Sequence, residues 1–403
     1  MRRFEAALSV GVAVLGLLRA ALAAEGPLID PMEDASRLRV PDAKVKVESV
    51  AGREGKAVRL SFEEGCKGKF VMTRNRGSAD WDRAAGFSFW VKGDGSDHLG
   101  CIELIWNENY AMRYAVAFPL DWTEWRKVVV PWRDVLPELA RPDTKPIAAG
   151  GNAPSKITGF WLGKWYYWRD DAAHSYTLDE LRLEPEIALD ANEHRPAGKP
   201  LARVLAKLEA GKPITVVTVG DSLTDFRHWA NREVNWPTLL ARKIEKRFGS
   251  KVKLVNPAVG GTALTQNLIT MGQWTKSTPQ PDLVTVCFGF NDWDNGMRGP
   301  LFLATCKDAV GRVRRATGGK ADVLLLTTCP AVARWDTMAE LAESCRRAAN
   351  ETGAGLCDIY AAFHAAGAEN RERLYCRDKT HLGPAGHELV ARKVLEAIER
   401  GGK

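Results

Sequence analysis

The sequence predicts a chain in two parts: an all-β sandwich of jelly-roll type, then an α/β domain built on a central parallel sheet. The first part holds about eight short strand-like runs, separated by turn residues, with no long helix between them. In the second part, apolar runs alternate with helical patterns, which is typical of a parallel sheet covered by helices. Between Pro185 and Pro200 the chain is polar and marked by proline, as expected of a linker.

The amino terminus has the pattern of a signal peptide. Arg2 and Arg3 give it a positive start, residues 6–18 are apolar, and small residues at 21–23 precede the expected cleavage before Ala24. We therefore predict a signal peptide over 1–23 and export to a secreted or periplasmic location. The sandwich then covers 24–185, the linker 186–200 and the α/β domain 201–403. No other segment is apolar over the length needed to span a bilayer.

Strand-like runs in the first part alternate apolar and polar residues, as Phe87-Ser88-Phe89-Trp90-Val91-Lys92 illustrates. Clusters of Gly, Asp and Ser, such as residues 93–97, interrupt them. The predicted strands are Ala57–Phe62, Lys69–Thr73, Phe87–Val91, Ile102–Trp106, Tyr114–Phe118, Arg126–Val130, Ile157–Leu162 and Tyr176–Leu183. Short strands in this number, without a helix, favour two packed antiparallel sheets.

In the second part, short apolar runs typical of buried strands alternate with segments that have the period of amphipathic helices. Its predicted strands are Ile214–Val219, Val252–Val255, Leu283–Phe288, Val323–Thr327 and Leu356–Ile359, and its predicted helices are Trp236–Phe248, Leu301–Ala316, Met338–Asn350 and Ala385–Glu399. In such a sheet all strands end at the same edge, so we expect reactive side chains in the loops that follow the strands.

Charge and cysteine content limit the possible functions. The net charge of +7 arises from the second half, where the excess of Lys and Arg falls on helix-like stretches such as 241–247. We interpret these as solvated helix faces, and no basic stripe interleaved with aromatics indicates nucleic-acid binding. The eight cysteines permit disulfides in an oxidising compartment, and we favour a Cys66–Cys101 pair. For Cys287, a buried thiol and a bridge remain equally open, and no spacing indicates zinc.

The sequence Gly220-Asp221-Ser222-Leu223-Thr224 follows directly on the first apolar run of the second part. A serine in that position is exposed at the strand end, and the glycine before it permits a sharp turn. Further along come Gly260-Gly261, Gly289-Phe290-Asn291-Asp292 and Asp378-Lys379-Thr380-His381. Serine, glycine, asparagine and histidine in this order resemble the GDSL or SGNH hydrolase family over roughly Ala197 to Lys403. The resemblance implies an SGNH-type, flavodoxin-like three-layer α/β sandwich.

Acyl transfer needs a nucleophile, a base and a group that orients the base. Ser222 is the candidate nucleophile and His381 the candidate base, with Asp378 close enough in sequence to bind its Nδ1 atom. The G-x-S-x-G turn of α/β-hydrolases is absent, because Thr224 stands at its second glycine. The alternative is structural: a serine that caps the following helix and an accidental D-x-x-H loop.

The same resemblance implies three donors for the oxyanion: the backbone N–H groups of Ser222 and Gly261 and the side-chain amide of Asn291. A plain turn is the alternative for the glycine pair. We expect Asp292 to hold the asparagine loop without being catalytic. The segments 225–229 and 293–296 are expected to form the walls of the substrate pocket. For His387 a structural position on a helix face is expected.

The first part is also similar to galactose-binding-like carbohydrate modules, notably in residues 87–93, 125–128 and 177–181. Its tryptophans can fill a sandwich core or form a platform on which sugars stack. The best candidate platform is the cluster Trp161, Trp165, Tyr166, Tyr167 and Trp168. The neighbouring Asp170 and Asp171 leave a structural calcium site open as an alternative.

Together these patterns predict an exported serine esterase that removes acetyl groups from a carbohydrate, without a cofactor or a metal. The expected partner is an acylated carbohydrate or another small ester, with no nucleic acid and no membrane span. Two alternatives remain: a lysophospholipase or thioesterase that uses the same residues, and a carbohydrate-binding protein whose hydrolase domain is inactive.

Overall fold

The computed structural model describes residues 26–66, 70–73, 75–141, 143–147, 151–164 and 172–401. Two antiparallel sheets form the first part. Its strands are β1 (Leu28–Asp30), β2 (Val45–Ala51), β3 (Lys56–Phe62), β4 (Phe70–Met72), β5 (Gly86–Lys92), β6 (Leu99–Trp106), β7 (Arg113–Pro119), β8 (Trp125–Pro131), β9 (Leu136–Pro137), β10 (Ile157–Lys164) and β11 (His174–Glu184). One sheet has the order β2-β3-β11-β5-β8, with β1 paired to β11, and the other the order β4-β10-β6-β7-β9.

An aromatic core joins the two sheets of the sandwich. Phe87 from one sheet contacts Phe160 from the other at 5.4 Å between ring centroids, and Phe89 likewise contacts Phe118 at 5.0 Å. All four rings are buried, because alternate residues of each strand point into the sandwich. The predicted antiparallel sandwich is confirmed, and each predicted strand has a counterpart. The strands β1, β2 and β9 were not predicted, because two are very short and the third is a half-exposed edge strand.

The second part is a five-stranded parallel sheet with helices on both faces. Its strands are β12 (Ile214–Gly220), β13 (Val252–Val255), β14 (Leu283–Cys287), β15 (Asp322–Leu326) and β16 (Gly355–Cys357). Its helices are α1 (Ala202–Glu209), α2 (Trp236–Phe248), α3 (Leu264–Ile269), α4 (Met271–Ser277), α5 (Phe290–Asp294), α6 (Gly299–Ala316), α7 (Ala339–Thr352), α8 (Ile359–Gly367) and α9 (Pro384–Gly401).

The strand order β13-β12-β14-β15-β16 is the flavodoxin-like order. Two separate buried clusters cover the faces of this sheet, one beneath α3, α4, α6 and α7, the other beneath α1, α2, α8 and α9. The predicted three-layer α/β fold is thereby confirmed. One boundary was wrong: Ile359 was placed in the last strand, but it begins α8, because the Asp358 side chain accepts from Ala361 N and caps that helix.

The topological switch point of the sheet lies beside β12. The chain continues from β12 to β13 on one side of it and then crosses to β14, which pairs with the other side. Ligands of open α/β sheets bind in the crevice at this point, beyond the carboxyl ends of the strands. The loop after β12 carries Ser222, and the one after β14 carries Asn291.

The sandwich packs directly against the α/β domain through the sheet that contains β6 and β7. Leu99 and Ala115 of that sheet belong to the same buried cluster as Leu268 and Trp274 of α3 and α4. Polar contacts reinforce the junction: the buried guanidinium of Arg312 pairs with Asp134 at 3.0 Å. The two domains therefore share one hydrophobic core at their boundary.

Cys66 and Cys101 do not form the disulfide that we favoured from the sequence. Cys66 packs in the interior of the sandwich, whereas Cys101 carries a free thiol in the cluster shared with the α/β domain. The prediction failed because neighbouring residues of a strand face opposite sides of a sheet, which sequence spacing alone does not resolve. Cys287 is buried with a free thiol. Among the described residues, no helix is both long and apolar enough to cross a membrane.

Candidate active site

Ser222 lies in a tight turn immediately after β12. The backbone carbonyl of Asp221 accepts from the N–H groups of Thr224 and Asp225, and its carboxylate accepts from Leu223 N at 2.9 Å. Gly220 is required here, because a Cβ atom at this position would lie 2.3 Å from Thr224 Oγ1. The turn leaves Ser222 partly exposed at the sheet edge, while Asp221 beneath it is buried.

The histidine loop is held by its own hydrogen bonds. Asp378 Oδ1 accepts from the backbone N–H of His381 at 3.0 Å and from that of Thr380 at 3.1 Å. Lys379 between them adopts a left-handed conformation, with φ of 58°, and its carbonyl accepts from Val332 N at 3.0 Å. Cys376 N donates to His381 O at 2.7 Å, so both ends of the loop are fixed.

Asp378, His381 and Ser222 form a continuous chain of polar contacts. Asp378 Oδ2 lies 2.5 Å from His381 Nδ1, and His381 Nε2 lies 3.0 Å from Ser222 Oγ. Burial by itself raises the pKa of Asp378, but the hydrogen bonds from His381 and Thr380 outweigh it and hold that pKa below its usual range. The carboxylate is thus ionised and oriented toward the ring, which leaves Nε2 directed at the serine.

Aromatic residues from the loop after Ser222 pack on the histidine. The ring of His228 stacks on His381 at 4.3 Å between centroids, and Trp229 makes an edge contact at 5.5 Å. These contacts restrict rotation of the His381 ring. They come from the segment 225–229, which the sequence predicted as a pocket wall.

Asn291 and the glycine pair lie beside the serine turn. The Asn291 amide nitrogen donates to Thr262 O at 3.1 Å and is 3.4 Å from Asp221 Oδ2, which holds it against the loop that contains Gly261. Gly260 N donates to Asp225 Oδ2 at 3.2 Å. Because that donor is already used, Gly261 is the better candidate of the two for binding an oxyanion. Gly261, Asn291, Ser222 and His381 all line one cavity.

The asparagine loop depends on a glycine and a buried acid. Gly289 has a φ of 136°, and a Cβ atom there would lie 2.4 Å from the Thr328 side chain. Asp292 accepts from Gly289 N at 3.0 Å and from Leu264 N at 2.9 Å, which ties the loop to the start of α3. Burial raises the pKa of Asp292 to about 6 and that of Asp221 to about 7. Asp292 thus holds the loop, as its sequence context suggested.

His387 is structural, as its helical position indicated. Its ring is buried on α9, where Nδ1 accepts from Trp236 N at 3.2 Å, and burial lowers its pKa to about 4.

The cavity around Ser222 has a volume of about 740 Å³. Its walls include Arg227, His228 and Trp229 from the predicted segment, but the other predicted wall, 293–296, does not line it. Trp293 packs instead against the buried cores, with the Arg298 guanidinium 3.8 Å from its ring centre.

Two further segments of the wall were not predicted. They are Asp97, His98 and Leu99, which end the loop before β6 and begin that strand, and Thr270, Gln273 and Trp274 of α4 and its cap. Neither carries a recognisable motif, so only the docking of the two domains could have revealed them.

Some predicted features lie outside the described residues: the signal peptide, residues 165–168 of the aromatic cluster, and the possible calcium ligands Asp170 and Asp171. Trp161 is described, and it contacts Tyr110 at 5.1 Å and Phe70 at 6.3 Å. Within the described part of the chain, no group of three or more His, Cys, Asp or Glu side chains could hold a metal ion.

The α/β domain, with serine, asparagine and histidine at the carboxyl edge of a flavodoxin-like sheet, is similar to the GDSL or SGNH ester hydrolases. Residues 218–389 match the GDSL-like Lipase/Acylhydrolase family, and residues 35–179 match the Carbohydrate binding domain (family 11). The α/β domain is therefore a carboxylic ester hydrolase domain, preceded by a carbohydrate-binding type of β-sandwich.

Three solved structures of hydrolases are similar to part of this chain. An alpha/beta hydrolase from the metagenome of Lake Arreo in Spain is 22% identical, covers 46% of this chain and 95% of its own, and has a TM-score of 0.38. An acetylxylan esterase from Geobacillus stearothermophilus is 19% identical, with a TM-score of 0.39, and the match covers 47% of this chain and 96% of the esterase chain. A lipase/acylhydrolase from Enterococcus faecalis is 18% identical, with a TM-score of 0.38, and the match covers 46% of this chain and 96% of the lipase chain. A search of curated proteins found no match.

Proposed function

We propose that this protein is an exported serine esterase that hydrolyses acetyl esters on carbohydrates. The observation that carries the proposal is the chain of contacts from Asp378 through His381 to Ser222 at the edge of the parallel sheet. Serine esterases need this arrangement, since a serine hydroxyl becomes a nucleophile only when a base removes its proton. The family match of residues 218–389 supports ester hydrolysis as the reaction.

In the proposed reaction, Ser222 Oγ attacks the ester carbonyl carbon while His381 Nε2 takes its proton. Asp378 holds the ring in the tautomer that presents an unprotonated Nε2 and stabilises the imidazolium that forms. The negative charge on the carbonyl oxygen is bound by the N–H groups of Ser222 and Gly261 and by the Asn291 amide. His381 then protonates the departing alcohol, and water, activated by the same ring, releases the acyl group.

Two features favour a small acyl group on a hydrophilic alcohol. Arg227, His228, Trp229 and Asn291 bring polar and aromatic groups to the cavity, and aliphatic side chains such as Leu223 and Val259 are a minority of its lining residues. The sandwich matches a carbohydrate-binding family, which supports a glycan as the alcohol. The positive and apolar start of the sequence supports export.

The proposal is tested by measuring hydrolysis of 4-nitrophenyl acetate and release of acetate from acetylated xylan and pectin. Ser222→Ala should abolish both activities and covalent labelling by a fluorophosphonate probe. Ser155→Ala, in the sandwich and outside the cavity lining, serves as the matched control and should retain them. If Ser222→Ala behaved like Ser155→Ala, the proposal would be wrong.

Acyl specificity is decided by comparing acetate with octanoate and palmitate esters of 4-nitrophenol. Higher kcat/KM on the long chains would replace the acetyl esterase with the lysophospholipase or thioesterase alternative. Binding of a glycan without labelling or turnover would indicate the inactive carbohydrate-binding protein.

A further inference from the structure

The cavity at the serine is larger than the acyl group of an acetyl ester requires. Its volume of about 740 Å³ falls in the range of roughly 300–1,000 Å³ in which pockets bury whole small molecules. An acetyl group occupies only a small part of that space. The remainder must accommodate the alcohol part of the ester, and it extends from Ser222 and His381 to the sandwich domain.

The far wall of the cavity is built by the sandwich. Asp97 and His98 end the loop that precedes β6, and Leu99 is the first residue of that strand. Asp97 is exposed and His98 is half-buried, with its ring stacked on His174 at 4.8 Å between centroids. The wall therefore presents a carboxylate and an imidazole, and the imidazole of His98 is already oriented by its packing on His174.

This wall is fixed relative to the serine. Gln273 of α4 lines the cavity, and its Nε2 donates to the backbone carbonyl of Asp97 at 3.3 Å, across the domain boundary. Leu99 of the sandwich is buried in the same cluster as Trp274, the residue that follows Gln273 on α4. On the sandwich side of α4, Lys276 pairs with Asp121. A site assembled from two domains can be selective only if they are held together, and these contacts hold them.

The chemistry of the wall suits a sugar ring. Carboxylate, imidazole and amide groups exchange hydrogen bonds with hydroxyls, and together they both donate and accept. Trp229, of which 54% is exposed, lines the same cavity and offers an aromatic surface to the apolar side of a pyranose.

We propose that Asp97 and His98 of the sandwich, with Gln273 of α4, form a subsite for the sugar that carries the ester. The sandwich is then a part of the substrate-binding site and sets which alcohol is accepted. This inference rests on the proposed esterase function.

The test compares two substrates in the full-length protein: 4-nitrophenyl acetate, which has no sugar, and xylose tetraacetate or glucose pentaacetate. The variants are His98→Ala and Asp97→Ala, singly and combined. Each lost hydrogen bond should lower kcat/KM for the better sugar acetate by roughly five- to tenfold, mainly through KM. Turnover of 4-nitrophenyl acetate should stay within about twofold, because the reacting groups are untouched.

Tyr110→Ala is the matched control, since this residue is an exposed aromatic of the sandwich that does not line the cavity. It should leave both substrates unchanged. Gln273→Ala should resemble His98→Ala if the amide contacts the sugar, and the midpoint of thermal unfolding separates that effect from a loosened domain boundary.

The outcomes distinguish the inference from the function on which it rests. Equal effects of His98→Ala and Asp97→Ala on both substrates, or no effect on either, would overturn the subsite while the esterase stands. A stronger effect of Tyr110→Ala on sugar acetates would move sugar binding to the outer aromatic group of the sandwich. Absence of turnover and of fluorophosphonate labelling in the unaltered protein would remove the esterase itself.

Discussion

The two domains contribute to one cavity by different means. In the α/β domain, Ser222 and Asn291 follow two adjacent parallel strands, which end at the same edge of the sheet. Their convergence is a property of the fold, so short motifs in the sequence indicate it. In the sandwich, Asp97 and His98 reach the cavity only because the sheet containing β6 docks against α3 and α4. A contribution of that kind leaves no motif, and we expect it to affect substrate choice rather than the chemical step.

Among substitutions that keep Ser222, the largest effect should come from Asp378→Asn, in the α/β domain. Its Oδ1 would keep the backbone contacts of the loop, but an N–H₂ group would face His381 Nδ1. The ring would then carry its proton on Nε2 and could not act as a base. We expect kcat to fall by roughly 10³–10⁴ on every ester. Asp336→Asn is the control, since Asp336 lies 3.9 Å from His364 in a similar pair, fully apart from the cavity lining.

If Asp378→Asn reduced kcat only for sugar esters, the division between chemistry and substrate choice would be wrong. A fall of comparable size in Asp336→Asn would indicate a nonspecific effect of lost charge.

Asn291→Ala should produce the next largest effect. Removing one oxyanion donor typically costs about 10²–10³ in kcat, and here the loss should be equal on sugar and nitrophenyl esters. Asn295→Ala, four positions further and outside the cavity lining, should retain activity. Because Asn291 also contacts Thr262 O, thermal unfolding should be followed alongside. A loss confined to stability would assign the residue to the loop and not to the oxyanion.

Much of the α/β domain could be predicted from the sequence, and for a physical reason. Buried parallel strands are continuous apolar runs, so all five were recognised, together with the four long amphipathic helices. The shorter helices α1, α3, α4, α5 and α8 were missed, because segments of five to nine residues are too short to display a clear helical period. The loops around Ser222, Asn291 and His381 were recognised because each carries several informative residues in close succession.

Prediction was weaker wherever the answer depended on packing between distant elements. The segment 293–296 looked like a pocket wall because it is polar and aromatic, yet Trp293 packs inward. Cys66 and Cys101 looked like partners, yet they pack in different cores. Residues 97–99 carried no signal at all. In each case the deciding fact is which face of a sheet meets which helix, and local sequence does not contain it.

A buried acid at the domain boundary should make the sandwich less stable as the pH rises from 4.5 toward 8. Burial, chiefly, and the neighbouring Glu138 raise the pKa of Glu103 from 4.5 to about 8, while Arg113 acts in the opposite direction. The folded state thus holds a proton that the unfolded state has lost, so stability declines as pH rises between these two values. We expect Glu103→Gln to remove a decline of at most about 5 kcal/mol, measured by urea unfolding across that range.

Glu108→Gln is the control for this measurement, because Glu108 is exposed and pairs only on the surface with Arg76. An unchanged pH dependence in Glu103→Gln would mean that Glu103 is ionised in the folded protein and is stabilised by Arg113.

The smallest effect should come from the α/β domain and has the opposite sign. Burial lowers the pKa of His387 from 6.5 to about 4. Between these pH values the histidine is protonated in the unfolded chain but neutral in the folded one. Stability is therefore lost as pH falls between these values, and His387→Asn should flatten that loss by roughly 1–2 kcal/mol. The asparagine oxygen can still accept from Trp236 N, which limits other damage. Glu103 of the sandwich would then lower stability as the pH rises from 4.5 to about 8, and His387 of the α/β domain would lower it as the pH falls from 6.5 to about 4. A steeper acid loss in His387→Asn would contradict this division.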